Sequence, residues 1–380
     1  MRDTRAEGRI RIIEPERAEN TERTGPRTVL AIIGVLLIPA CITLASVRHP
    51  AGRGPGAGEA SPLGYTWSLS FALVPVAAIL VAARARRRSG NHWRPGMPWR
   101  TVAATIALLG TVGMLLDVCF GYTFFAFPNQ GATVRIGFWG FDPASGRWIP
   151  GLPIEEAAFY YSTVAAELLL YVWLNSAFVA RYSPDRTRAD RGPRPWLHWP
   201  AALPGVGLIA AAVLYTEFIR PVPARFPGYL IFIVAVALIP SGLLHRATRH
   251  AINWQAVAFT TLAAALVDLV WEATLAGPYG WWAYRQDMMI GLRITAWHDL
   301  PIEAPLLWLV SPFCVVTVYT AIQLKLAAGN HHRDVQAAGR PAASGDGRAV
   351  RGDDRPGDGQ SEPDAVAHAG PGLHAPERFE

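Results

Sequence analysis

The feature that most limits what this chain can fold into is a series of eight apolar blocks, each about as long as a membrane is thick. They run over Thr28–Val47, Gly64–Ala83, Thr101–Phe127, Glu156–Ala180, Ala201–Phe218, Gly228–Leu244, Asn253–Ala276 and Pro301–Ala328. A helix rises about 1.5 Å per residue, so about 20 residues cross a hydrocarbon core of about 30 Å. A soluble bundle would carry polar residues every third or fourth position, and these blocks mostly do not. The expected class is an all-α polytopic membrane protein with about eight transmembrane helices.

Charge supports that class and sets an orientation. The formal charge is +6 and the pI about 9.5. The basic residues lie between the blocks and form no single patch, which argues against nucleic acid as a partner. Lys and Arg number seven before the first block, then two, six, two, five, two, two and two in the successive loops. By the positive-inside rule, both termini are expected in the cytoplasm of a cell-membrane protein. The first block is expected to stay as an uncleaved helix, since no clear cleavage site follows it. Cys41, Cys119 and Cys314 all fall inside blocks and read as small buried hydrophobes.

The chain also repeats itself. GYTWSLSFALVPVAAIL from Gly64 matches GYLIFIVAVALIPSGLL from Gly228. LLDVCFGYT places Asp117 six residues before Thr123, and LVDLVWEAT places Asp268 six before Thr274. Trp139-Gly-Phe141 answers to Trp282-Ala-Tyr284, and each half then reaches Pro-Ile-Glu and its last helix. Two parallel four-helix repeats follow, 28–180 and 201–328, joined by a cytoplasmic linker over 181–200. A cytoplasmic extension covers 1–27. Residues 329–380 read as a disordered tail, too polar and too rich in Gly and Pro to offset chain entropy. The pair His331-His332 in that tail reads as solvated.

The duplicated acids define the candidate site. A carboxylate in mid-membrane costs about 2.5–3.5 kcal/mol on insertion scales, and such residues face the bundle interior. Asp117, Asp268, Glu272 and Glu167 lie within blocks, and Glu155, Glu156 and Glu303 at block starts. Helix capping and ion pairing are the plain structural alternative, and Glu155 and Glu303 suit a helix N-terminus. Parallel duplication brings the acids to one depth, where two half-sites enclose one cavity. A carboxylic acid in an apolar cavity can protonate a carbon–carbon double bond. Aromatic faces then shelter the cation by cation–π attraction. Trp139, Phe141, Phe159, Tyr160, Trp271, Trp281, Trp282, Tyr284, Trp297 and Trp308 lie near the acids in sequence; an interfacial aromatic belt is the alternative for each.

At these residues the sequence resembles the integral-membrane lycopene cyclases of the heterodimeric or fused bacterial, archaeal and fungal type. The resemblance rests on WGFDPASGRWIPGLPIEEAAFY in the first half and WWAYRQDMMIGLRITAWHDLPIEAPLLW in the second. It covers about 64–180 and 228–325. It implies redox-neutral cyclisation of a polyene end by proton addition and then proton loss. No cofactor or metal is implied, and the partners are an apolar isoprenoid or carotenoid and the bilayer. The roles carry over to Glu155, Glu156 and Glu303, then to Asp117 and Asp268. Ala304 departs from the family, which has a second acid there, and the helices at 28–47 and 201–218 are additional.

Other classes fit less well. A flavin enzyme needs a strand–GxGxxG–helix unit, and GRGPGAG from Gly52 sits in a loop. A prenyltransferase needs two acidic clusters for Mg²⁺ and diphosphate, and Asp268-x-x-x-Glu272 has no second. A carotenoid hydratase would use similar acids with water. A proton-coupled transporter also carries repeats and intramembrane acids, and Pro75 and Pro240 interrupt two helices at matching places.

Overall fold

A computed structural model of the chain describes residue 38 and residues 61–88, 97–180, 183, 197–221 and 225–338. The expected first span and most of the linker and tail therefore lie outside the described residues. Among the described residues, seven helices are long and apolar enough to cross a membrane: α1 Gly64–Ala85, α2 Trp99–Phe124, α3 Ile154–Ser176, α4 Trp199–Ile219, α5 Gly228–Thr248, α6 Trp254–Tyr279 and α7 Glu303–Ala328. They coincide with seven of the eight apolar blocks. Large apolar side chains such as Leu115, Leu203 and Phe218 stay exposed on these helices. In water such a surface would be a liability; against hydrocarbon it is what a multi-pass protein requires.

The chain divides into a unit of residues 1–331, which holds all the spans, and a unit of 332–380. Within the second unit the described residues, 332–338, are helical. The last helix thus runs Glu303–Ala338, beyond the 328 boundary expected from sequence. A formed helix gains one hydrogen bond for each residue it adds, so a polar extension can follow an apolar span.

Local sequence explains the helix starts. Pro153 precedes α3, and Glu155 and Glu156 occupy its first turn, where the dipole favours acids. Asn253 caps α6 by accepting hydrogen bonds from the backbone N–H groups of Gln255 and Ala256. The helix α3 is central and packs on α1, α2 and α6. Its approach to α2 depends on Gly113: a Cβ there would lie 2.5 Å from the Tyr160 ring.

Short strands organise one end of the bundle. β1 (Phe125–Ala126) follows α2 and β4 (Ala283–Tyr284) follows α6, and they pair antiparallel with Phe125 opposite Tyr284. β2 (Gly137–Asp142) and β3 (Arg147–Pro153) form a hairpin leading into α3. β5 (Arg293–Ile294) and β6 (Leu300–Pro301) form a smaller one leading into α7. The β1–β4 pair fastens the end of α2 to the end of α6, which places their acids side by side.

Candidate active site

The acids gather at the stranded end. Asp117 is near the end of α2, Glu156 at the start of α3 and Glu272 near the end of α6. All three line one cavity of about 150 Å³. Its other walls include Tyr65, Phe120, Phe124, Phe159, Tyr160, Tyr229, Phe232, Trp282 and Tyr284. A volume below the roughly 300–1,000 Å³ of a pocket for a whole drug-sized ligand suits the end group of a longer chain.

Each cavity acid is held differently. The Tyr65 hydroxyl donates to Glu156 Oε1 at 2.6 Å. The Tyr160 hydroxyl donates to Asp117 Oδ1 at 3.4 Å, and Asp117 Oδ2 meets no partner among the described residues. Gly121, one turn on, makes room for this carboxyl: a Cβ there would come within 2.8 Å of Asp117 Oδ1. Glu272 has both oxygens engaged. The Trp308 indole N–H donates to Oε1 at 2.9 Å, and the Tyr284 hydroxyl donates to Oε2. Burial, then the charge of Glu272, holds the Tyr284 phenol well above the usual tyrosine range, so it remains a donor.

Glu272 lies in a π-helical stretch, Leu269–Ala276, a widened turn often met at functional sites. It also borders a second, more polar cavity of about 200 Å³, lined by Gln286, His298 and Asp299 among others. His298 and Asp299 both adopt left-handed backbone, with φ of 56° and 55°. Glu272 therefore stands in the wall between an aromatic chamber and a polar one.

The remaining acids are placed otherwise. Glu155 accepts from the Thr66 hydroxyl at 2.6 Å and the Val134 backbone N–H at 2.8 Å. Glu303 accepts from the Ile290 backbone N–H at 2.5 Å. Neither lines the cavity; each ties the preceding loop to its helix start. Asp268 is fully buried, lies outside the cavity lining, and neither of its oxygens meets a hydrogen-bond partner among the described residues. If Glu303 is a loop clamp, Glu303→Leu should cost about 1–3 kcal/mol, the penalty for an orphaned buried N–H. Glu303→Gln keeps an acceptor and should unfold close to wild type. Thermal unfolding in detergent would compare them, and equal losses would contradict the clamp.

Eight of the ten expected aromatics divide in three, while Trp281 donates to the Ser61 hydroxyl and Trp297 lines the polar cavity. Phe159, Tyr160, Trp282 and Tyr284 line the acid cavity. Trp271 and Trp308 line a neighbouring apolar groove instead. Trp139 is 58% exposed on the hairpin, where Phe141 packs on Trp148 at 5.6 Å. Strand alternation turns these hairpin rings away from the acids. Sequence reasoning passed over Tyr65 and Tyr229, although both are the second residue of the duplicated Gly-Tyr segments and both line the cavity.

Among the described residues, no three of His, Cys, Asp and Glu converge to hold a metal ion. Compared with known proteins, the chain matches no family model, no curated protein and no solved structure.

Proposed function

We propose that this protein is a membrane isoprenoid or carotenoid cyclase of the lycopene-cyclase kind, working by proton addition to a polyene end and proton loss from the ring formed. The observation that carries this reading is the single cavity in which Asp117, Glu156 and Glu272 face a wall of aromatic rings. The reading also takes the chain as two parallel repeats. In the alignment of those repeats, Ala304 stands where the first half has Glu156, and Glu272 stands where the first half has Gly121. Each half then supplies an acid pair: Asp117 with Glu156, and Asp268 with Glu272. The acid missing at Ala304 is replaced by one from the preceding helix.

The hydrogen bonds support a division of roles. Asp117 has an oxygen without a partner among the described residues, and Glu156 lies in the same cavity, so this pair delivers the proton to the terminal double bond. The tertiary cation is attacked by the next double bond, forming the ring C–C bond. Glu272, already ordered by two donors, takes the ring proton and passes it to the polar cavity. One proton enters and one leaves, so the product keeps the substrate's formula and no redox partner is needed. Aromatic faces stabilise the intermediate cation without trapping it. In this reading the protein lies in the cell membrane with both termini cytoplasmic and the acid end outward.

The test is pigment analysis of a lycopene-accumulating bacterial host expressing the chain. New isomers of unchanged mass are expected. Products heavier by one water would indicate a hydratase. Unchanged lycopene with folded protein in the membrane would remove lycopene as substrate, and proton-dependent flux of an unaltered solute would replace the cyclase by a transporter.

A further inference from the structure

The proposed reaction leaves a third cavity unused. It is a groove of about 310 Å³ between α1, α3 and α6, walled by Pro75, Ala78, Ile79, Ala166, Leu170 and Val267 among others. Among the described residues, no basic side chain lines it. Three buried polar atoms on its lining nevertheless have no partner among the described residues: Glu167 Oε1, Thr163 Oγ1 and Trp271 Nε1. Glu167 is 5% exposed and Trp271 1%. The Ser311 hydroxyl donates to Glu167 Oε2 at 2.8 Å, which fixes the carboxyl and leaves the other oxygen unused. Buried polar atoms are nearly always partnered, so three orphans in one apolar groove mark the place of a missing polar group.

Their chemistry narrows what that group is. An indole N–H only donates, and so requires an acceptor. Glu167 Oε1 accepts as a carboxylate and donates as the neutral acid, and so requires a group able to do either. An ammonium supplies no acceptor. An anion supplies no donor and finds no basic residue to offset its charge. A hydrocarbon satisfies none of the three atoms. A hydroxyl supplies one donor and two lone pairs. Glu167 lies eleven residues beyond Glu156 on α3, about 16 Å along the helix, so this group would lie deep within the span. Phe159 separates the groove from the acid cavity, packing on Trp271 and Trp308 at 5.5 and 6.1 Å.

We propose that this groove binds an uncharged long-chain alcohol, its apolar chain lying among α1, α3 and α6 and its hydroxyl between Glu167 and Trp271. The site stands independently of the reaction assigned to the acid cavity. Equilibrium binding of tritiated geranylgeraniol to the purified full chain in nanodiscs tests it, with the same chain lacking the hydroxyl, and its amine, as competitors. Saturable binding at one site is expected, with the hydrocarbon competing at least about tenfold less well, the equivalent of one good hydrogen bond. Trp271→Phe keeps an aromatic side chain but removes the indole N–H together with one of its two fused rings, and should weaken binding by at least about tenfold on the same scale. Glu167→Leu should do the same, and Glu167→Gln, which keeps an acceptor and protects folding, should remain near wild type. Equal competition by the hydrocarbon, tighter binding of the amine, or no binding to folded protein would each overturn the proposal.

Discussion

A chain carrying both Asp117→Asn and Glu156→Gln is expected to leave a lycopene-type substrate unconverted, with product falling by about 10²–10⁴-fold, the usual worth of a general acid. The two side chains line the cavity and hold the positions from which a proton can be delivered. Asn and Gln preserve size and can still accept from Tyr160 and Tyr65, so the cavity survives while its proton source does not. The contrast is with Glu155→Gln. Glu155 is adjacent in sequence and equally buried, but its bonds go to Thr66 and Val134. Oε1 accepts both, so a Gln carbonyl in that position keeps both acceptor bonds, and most of the product should persist. Pigment chromatography with mass detection, normalised to folded protein, reads both variants. Greater loss in Glu155→Gln than in the double variant would sink the assignment.

That contrast marks where the sequence stopped being legible. Block length located the seven spans found among the described residues, because hydrocarbon thickness acts on composition alone. The duplicated motifs also placed the acids at one end, since consecutive spans put the end of α2 and the start of α3 on the same side of the bundle. Neighbouring acids were harder. Glu155 and Glu156 differ by about 100° around the helix axis, and only packing shows which of them meets the loop and which the cavity. Glu272 was visible as an intramembrane acid, but its two donors, Tyr284 and Trp308, lie 12 and 36 residues away. Such a pairing depends on β1–β4 and on how α6 meets α7. Trp139 and Phe141 misled for the opposite reason. They are near Glu155 in sequence, but the hairpin carries them outward.

Glu272→Gln should give a different failure from loss of the acid pair. The Gln carbonyl can keep the Trp308 N–H, and the Tyr284 hydroxyl can turn to accept from the new amide, because a phenol is both donor and acceptor. The cavity should therefore hold its shape and the substrate should still be protonated. In the proposed reaction, what is lost is the group that removes the ring proton, so the cation would persist beside a polar chamber lined by Gln286 and His298. Normal product should fall by about 10²–10⁴-fold, while a hydroxylated product heavier by one water appears. Tyr284→Phe removes one of two donors and should cost only about tenfold, the equivalent of one charge-assisted hydrogen bond. A water-capture product confined to Glu272→Gln, and absent from the Asp117/Glu156 variant, would separate the base from the acid. Wild-type cyclisation in Glu272→Gln would return the proton-accepting role to the first half of the chain.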